Sequence, residues 1–266
     1  MRLRPSPRPR RGRQISMRHL RQELSDLRRS DRGRQAGMTE AERIAKAYRE
    51  LESVAAARYD LRNRGNQEVL AERRTLTRSL LDRGGWIPFG ERRVLEVGCG
   101  TGSELAWLLT LGAAPDHLTG VDLLPDRITA ARYAYPQFEF HVGNAERLDF
   151  AESTFDMVMA ITVFSSILDR SMAAGVASEI VRVLRPGGGL LWYDFRYNSP
   201  ANVNVRGVTA RRVRELFPQL DGRLHTVTVI PPLVRRLGPL TPIAYPVLAL
   251  APPLRSHLLG VLNKPA

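Results

Sequence analysis

The residues best placed to do chemistry lie in the stretch "VLEVGCGTGSEL", residues 94–105. An apolar run carries one acid, Glu96, and then meets Gly98, Gly100 and Gly102. Glycine lets a backbone turn tightly and come close to a ligand. A helix starting behind such a turn also offers free N–H groups. A pyrophosphate-binding loop would use both features with the spacing G-x-G-x-x-G. Here the spacing is G-x-G-x-G, and Ser103 stands where that third glycine belongs. Glu96 also argues against a phosphate. A carboxylate repels one and favours a ligand that carries positive charge.

Further along, "GVDLLPDRI" ends an apolar run in Asp122, "VGNAERLDF" holds Asn144 and Ala145, and "STFDMVMAITVF" ends near Ile161 and Thr162. "EIVRVLRPGGGLLWYDF" closes the series. In this order the five stretches resemble the class I S-adenosylmethionine-dependent methyltransferases, over roughly residues 94–264. The likeness is of the methyltransferase type 11 kind. It implies S-adenosylmethionine as cofactor. It also implies a cofactor site at Glu96, Gly98, Gly100, Gly102, Asp122, Leu123, Asn144, Ala145 and Thr162. In that site Asp122 would accept from two ribose hydroxyls, and Asn144 and Ala145 would meet the adenine. Asn144 could equally just shape its loop. "TVFSSILD", "LWYDFRYNSP", "NVRGV" and "LRSHLLGVLNKP" resemble a bacterial subgroup associated with glycan and surface-polysaccharide synthesis, and so imply a hydroxyl-bearing acceptor. "RNRGNQEVLAERR" resembles that subgroup's leading loop, with Arg64 where proline is usual.

These residues need a scaffold, and the apolar pattern supplies one. Strands are expected at 93–97, 118–121, 138–142, 155–160, 189–195, 224–230 and 257–262. Helices are expected at 104–111, 125–135, 172–184 and 209–217. Strands alternating with helices imply an α/β fold, a mostly parallel sheet covered on both faces. The family resemblance makes that sheet Rossmann-like and seven-stranded. Its ligands belong at the carboxyl rim of the strands. Acceptor-side residues on that rim would be Phe164, Ser165, Ser166, Tyr193, Asp194 and Arg196. Asp194 is the only carboxylate in 187–199 and the one candidate general base. Its alternative role is to pair with Arg196 or Arg206, or to cap a loop.

Two segments flank this domain, which is taken as residues 91–266. Residues 38–90 read as helical, with Ile44, Ala47 and Leu51 at helical spacing and a break at 62–66. Residues 1–37 read as a disordered tail, with twelve arginines against Glu23, Asp26 and Asp31. That tail holds +9 of the net +13, so the body is only mildly basic. Near the other end, 231–254 is an apolar insert rich in proline, which breaks up any spanning helix. It is expected to wall the acceptor region or touch a membrane surface.

One cysteine, Cys99, and no apolar leader point to a cytoplasmic chain. No metal is called for. A nucleic-acid methyltransferase would use the basic tail as its footprint. Against that reading, 161–164 reads Ile-Thr-Val-Phe rather than an Asn/Asp-Pro-Pro-aromatic run. A cofactor-binding protein without turnover is the other rival. The acceptor is therefore expected to be a small molecule or glycan, methylated at a hydroxyl oxygen.

Overall fold

The structure is a computed structural model and describes residues 37–199 and 202–266. The tail assigned to residues 1–37 lies outside these apart from Gly37. Residues Glu40–Ala266 form one compact unit.

Seven strands make one sheet in the order β3-β2-β1-β4-β5-β7-β6. They are β1 (Val94–Val97), β2 (Leu118–Asp122), β3 (Glu139–Val142), β4 (Phe155–Ile161), β5 (Leu184–Phe195), β6 (His225–Val229) and β7 (Arg255–Asn263). The first five pair in parallel. β7 runs antiparallel to both β5 and β6. β1, β2 and nearly all of β4 are buried, and they read as mainly apolar runs broken by the buried polar residues Glu96, Thr119, Asp122 and Asp156.

The pleat sorts the core into two layers. Leu95, Val97, Val158, Ala160 and Trp192 face one side, against α5 (Arg170–Val183) and α6 (Ala210–Leu216). Ile44 and Tyr48 of α1 (Glu40–Arg58) join that layer. Val94, Met157, Met159, Leu191 and Tyr193 face the other side. There they meet α2 (Arg64–Arg83), α3 (Ser103–Leu108) and α4 (Pro125–Ala134).

The helices begin where the sequence supplies caps. Asn63 accepts from the backbone N–H groups of Gly65 and Asn66 and so starts α2. α2 therefore begins at Arg64, inside the break expected at 62–66. Gly65 is enclosed, because a Cβ there would lie 2.6 Å from the Val234 backbone.

The proline-rich insert is more regular than its composition implies. It forms α7 (Pro231–Val234) and α8 (Thr241–Ala249), linked by a short 3-10 turn at Gly238–Leu240. Pro242 sits in the first turn of α8, where no helical N–H is lost. Pro246 lies inside α8 and forfeits one backbone bond. Val229, Val234 and Tyr245 pack together over Val69 of α2.

Candidate functional site

All three glycines of the first loop hold positive φ: +68° at Gly98, +54° at Gly100 and +81° at Gly102. Other residues rarely adopt this region. Two of them are also closed in by neighbours. A Cβ on Gly98 would strike Val163, and one on Gly102 would strike Phe140 at 2.7 Å. Gly100 is different. Its nearest atom would be Arg127 Nη1 at 3.9 Å, so the backbone there is open to approach.

The loop is tied to the end of β2. The Gly98 and Cys99 N–H groups donate to the Val121 carbonyl, at 2.7 and 3.1 Å. The Gly100 N–H donates to Asp122 Oδ2 at 2.8 Å. The Leu124 N–H donates to Asp122 Oδ1 at 2.9 Å. Each carboxylate oxygen has roughly two acceptor sites. Both oxygens of Asp122 thus keep one free for a ligand hydroxyl.

Glu96 lies beneath this loop, only 2% exposed. The Leu105 N–H, in the first turn of α3, bonds its carboxyl. Oε2 has no partner. Burial, with Glu104 next in weight, pushes Glu96 well above the usual carboxylate range, while nearby Arg73 pulls it back. A buried acceptor without a donor beneath an open loop suits a ligand that brings positive charge.

The remaining residues expected at the site line the same rim. Leu123 and Ala145 pack on the core layer of α5. Asn144 accepts from the Glu146 N–H and donates to the Glu146 carboxylate, so its side chain shapes its own loop. Thr162 has φ +55° and donates its hydroxyl to the Ile161 carbonyl. Its N–H donates to the Tyr193 carbonyl at 2.7 Å, which fixes the ends of β4 and β5 side by side.

Asp194 is 1% exposed. Its Oδ2 accepts from the Ser165 N–H at 3.0 Å and its Oδ1 from the Phe195 N–H at 2.8 Å. The Ser165 hydroxyl and the Phe164 N–H also reach it. Burial raises its pKa to about 6. Its geometry is that of a cap on the turn Phe164–Ser166. Arg206, its suggested ion partner, donates instead to the Leu168 carbonyl.

Three residues beside the candidate site, Tyr48, Arg127 and Arg73, escaped sequence reasoning. Tyr48 of α1 bonds Ser166 Oγ at 2.9 Å, and the Arg127 guanidinium lies 4.4 Å from its ring centre. Arg43 donates to the Ser166 carbonyl at 2.5 Å, and Glu40 accepts from the Asp169 N–H. Helix α1 is thereby strapped across the rim, touching both the β2 side and the β4 side. The third residue is Arg73 of α2. It pairs with Glu104 and sits 5.2 Å from the Tyr193 ring centre. For Tyr48 a signal existed: it follows Ile44 by one helical turn. For Arg127 and Arg73 there was none, because arginine is common throughout this chain.

His257 lies behind Tyr193, stacked on it at 4.7 Å. Burial, with Arg73 adding to it, holds its pKa down to about 3, so the ring is neutral. Its Nδ1 is bonded by Ser256 Oγ at 2.9 Å.

Known proteins resemble part of this chain. Residues 94–188 match the family model described as a methyltransferase domain. The chain is 40% identical over 141 residues to a demethylmenaquinone methyltransferase of Chlorobaculum parvum, covering 52% of this chain and 56% of that protein. It is 38% identical over 109 residues to a phthiotriol/phenolphthiotriol dimycocerosates methyltransferase of Mycobacterium leprae, covering 40% and 38%. The chain thus spans about half or less of the length of these curated relatives. A crystal structure of a SAM-dependent methyltransferase from Archaeoglobus fulgidus superposes with a TM-score of 0.52 at 16% identity, over 72% of this chain and 94% of that one. Residues 94–188 are a methyltransferase domain, and the seven-stranded sheet around it is the class I S-adenosylmethionine-dependent methyltransferase fold.

Proposed function

We propose that this protein transfers a methyl group from S-adenosylmethionine to a small-molecule acceptor. The observation that carries this reading is the pairing of an open Gly100 with Asp122 and the partnerless Glu96 oxygen. Together they fit a cationic ligand that bears a ribose. The bound cofactor supplies an electrophilic methyl on a positively charged sulfur.

The chain's own residues then bind and orient. Asp122 accepts from the ribose hydroxyls while its backbone bonds keep its carboxylate fixed. The 98–102 backbone admits the amino-acid moiety, and Glu96 stabilises its positive charge from below. Residues 144–145 edge the base. Thr162 holds the ends of β4 and β5 where an acceptor must lie. Helix α1 excludes water through Tyr48 and Arg43. Holding two reactants in line supplies much of the rate in such a displacement. Asp194 serves mainly to fix the Phe164–Ser166 turn, whose Ser166 in turn holds Tyr48.

The acceptor was expected from the sequence to be a small molecule or glycan, methylated at a hydroxyl oxygen. The names of the two relatives agree with a small molecule and point to a quinone and a lipid rather than a glycan. We therefore place an apolar small molecule with a ring or alcohol first, and a glycan hydroxyl second. The test is to incubate the purified protein with methyl-labelled cofactor and separated extracts, one of apolar metabolites and one of water-soluble glycans. Label appearing in an apolar product supports the first order, and label in a glycan reverses it. Tight cofactor binding with no label in any fraction would replace the enzyme by a cofactor-binding protein.

A further inference from the structure

The insert at 231–254 turns an unusual face outward. Twelve of its residues are exposed, and eleven of these are proline or aliphatic; the other is Arg236. On α8 and the turn before it, Leu240, Ile243, Val247 and Leu250 form one stripe at helical spacing. They are 64%, 76%, 65% and 76% exposed. The opposite face of α8 is fixed, because Thr241 and Tyr245 are buried and Tyr245 donates to Glu72 at 2.8 Å. The stripe is therefore the unpartnered side of a seated helix.

Charge tells what kind of partner fits. The insert itself, 231–254, has no acid, against Arg235 and Arg236. The loop that seats α7 adds exposed Tyr59 and Leu61 together with Arg62 and Arg64. That loop is joined to the insert by Asn63, which donates to the Arg235 carbonyl. The one acid of that loop, Asp60, is paired with Arg62, so Arg64, Arg235 and Arg236 leave the patch net positive. Aliphatic, aromatic and arginine side chains of that balance suit an interfacial helix on an anionic bilayer. Among the described residues no helix is long and apolar enough to cross a membrane. A second copy of this face would bring like charges together. The chain's own first 37 residues, at +9, carry the same sign.

We propose that α7 and α8 dock the protein on the surface of an anionic lipid bilayer. This inference stands apart from the methyl-transfer reading, since neither needs the other. The experiment uses the full chain, with vesicles of phosphatidylcholine alone or with phosphatidylglycerol added. Cosedimentation is expected only with the anionic vesicles. The double substitution Ile243→Ser/Val247→Ser removes two exposed stripe residues and should weaken binding roughly tenfold or more. Arg236→Glu should weaken it roughly fivefold or more.

A gain of signal guards against loss through misfolding. Cys99 is the only cysteine and is buried, so Val247→Cys can be labelled there with an environment-sensitive fluorophore. Its emission should shift to the blue on adding anionic vesicles. The proposal fails if the full chain stays in solution. It fails if the serine variant binds equally well, since the Arg-rich tail would then be the anchor. It also fails if the stripe proves to be a dimer face, shown by wild-type self-association without lipid that the serine variant loses.

Discussion

The Gly100 N–H and the Asp122 carboxylate meet at 2.8 Å, joining the loop after β1 to the end of β2. The bond does two jobs: it sets the loop's shape and aims a carboxylate at the rim. Asp122→Ala removes an acceptor for charge-assisted bonds, which contribute on the order of 1.5–3 kcal/mol each. Affinity for S-adenosylmethionine should fall about tenfold or more, as read by calorimetry. Unchanged affinity would take Asp122 out of the site.

Glu96 should make cofactor binding sensitive to pH. Its raised pKa means that the folded chain without ligand tends to hold a proton there. A cation arriving above it favours the ionised form, so binding should release a proton. Calorimetry in buffers of different ionisation enthalpy would measure that release, and Glu96→Gln should abolish it. The sign for stability follows. With the folded pKa above the unfolded one, the group stabilises the fold most below the unfolded value. That contribution is lost as pH rises through the folded pKa. Glu96→Gln should therefore raise the melting temperature near neutral pH while weakening the cofactor.

Arg73 of α2 compensates the buried Glu96 and the half-buried Glu104. Arg73→Met would leave Glu104 without its partner and Glu96 with less compensation. Breaking such a pair from one side costs about 3–5 kcal/mol when buried. The side chains of Arg73 and Glu104 remain 15% and 17% exposed, so the lower end of that range is expected. Adding Glu104→Gln should restore much of the loss. If the double variant is no more stable than the single one, the pair is not coupled.

For Asp194 the two roles give different readouts. As a cap, Asp194→Asn turns an N–H donor toward backbone donors at Ser165 or Phe195. That should cost about 1–3 kcal/mol of stability, seen as a melting point lower by several degrees. As a general base, the same change would leave the melting point nearly intact and cut turnover roughly 10²–10⁴-fold. We expect the first outcome.

Tyr48 tests the strap. Tyr48→Phe keeps the ring beneath Arg127 and loses only the bond to Ser166. Tyr48→Ala loses both contacts. The alanine variant should raise the KM for cofactor more than the phenylalanine variant does. Equal effects would show that the hydroxyl alone matters.

Some of this architecture is written locally. A strand buried on both faces needs a mainly apolar run, and 94–97, 118–122 and 155–161 are mainly apolar. Positive φ is nearly reserved for glycine, so Gly98, Gly100 and Gly102 marked the loop before any fold was known. Asp122 ends the run 118–122, and its place beside a ribose is what the resemblance to the methyltransferases implies. The helices of the insert were harder to read. Proline composition argued against them, yet short helices tolerate proline in a first turn, and packing on Val69 and Val229 holds the rest.

The sequence alone determined the order of strands and helices, the glycine loop and the acid that follows it. Each of these depends on a residue and its near neighbours. Only the tertiary structure decided that β7 enters between β5 and β6 in the opposite direction. Only it brought Tyr48 to Arg127 and Ser166, Arg73 to Glu104, and the Ser165 N–H to Asp194. These partners lie from about thirty to more than a hundred residues apart. No local propensity records such pairs, because the energy that selects them exists only once the sheet has closed its two faces.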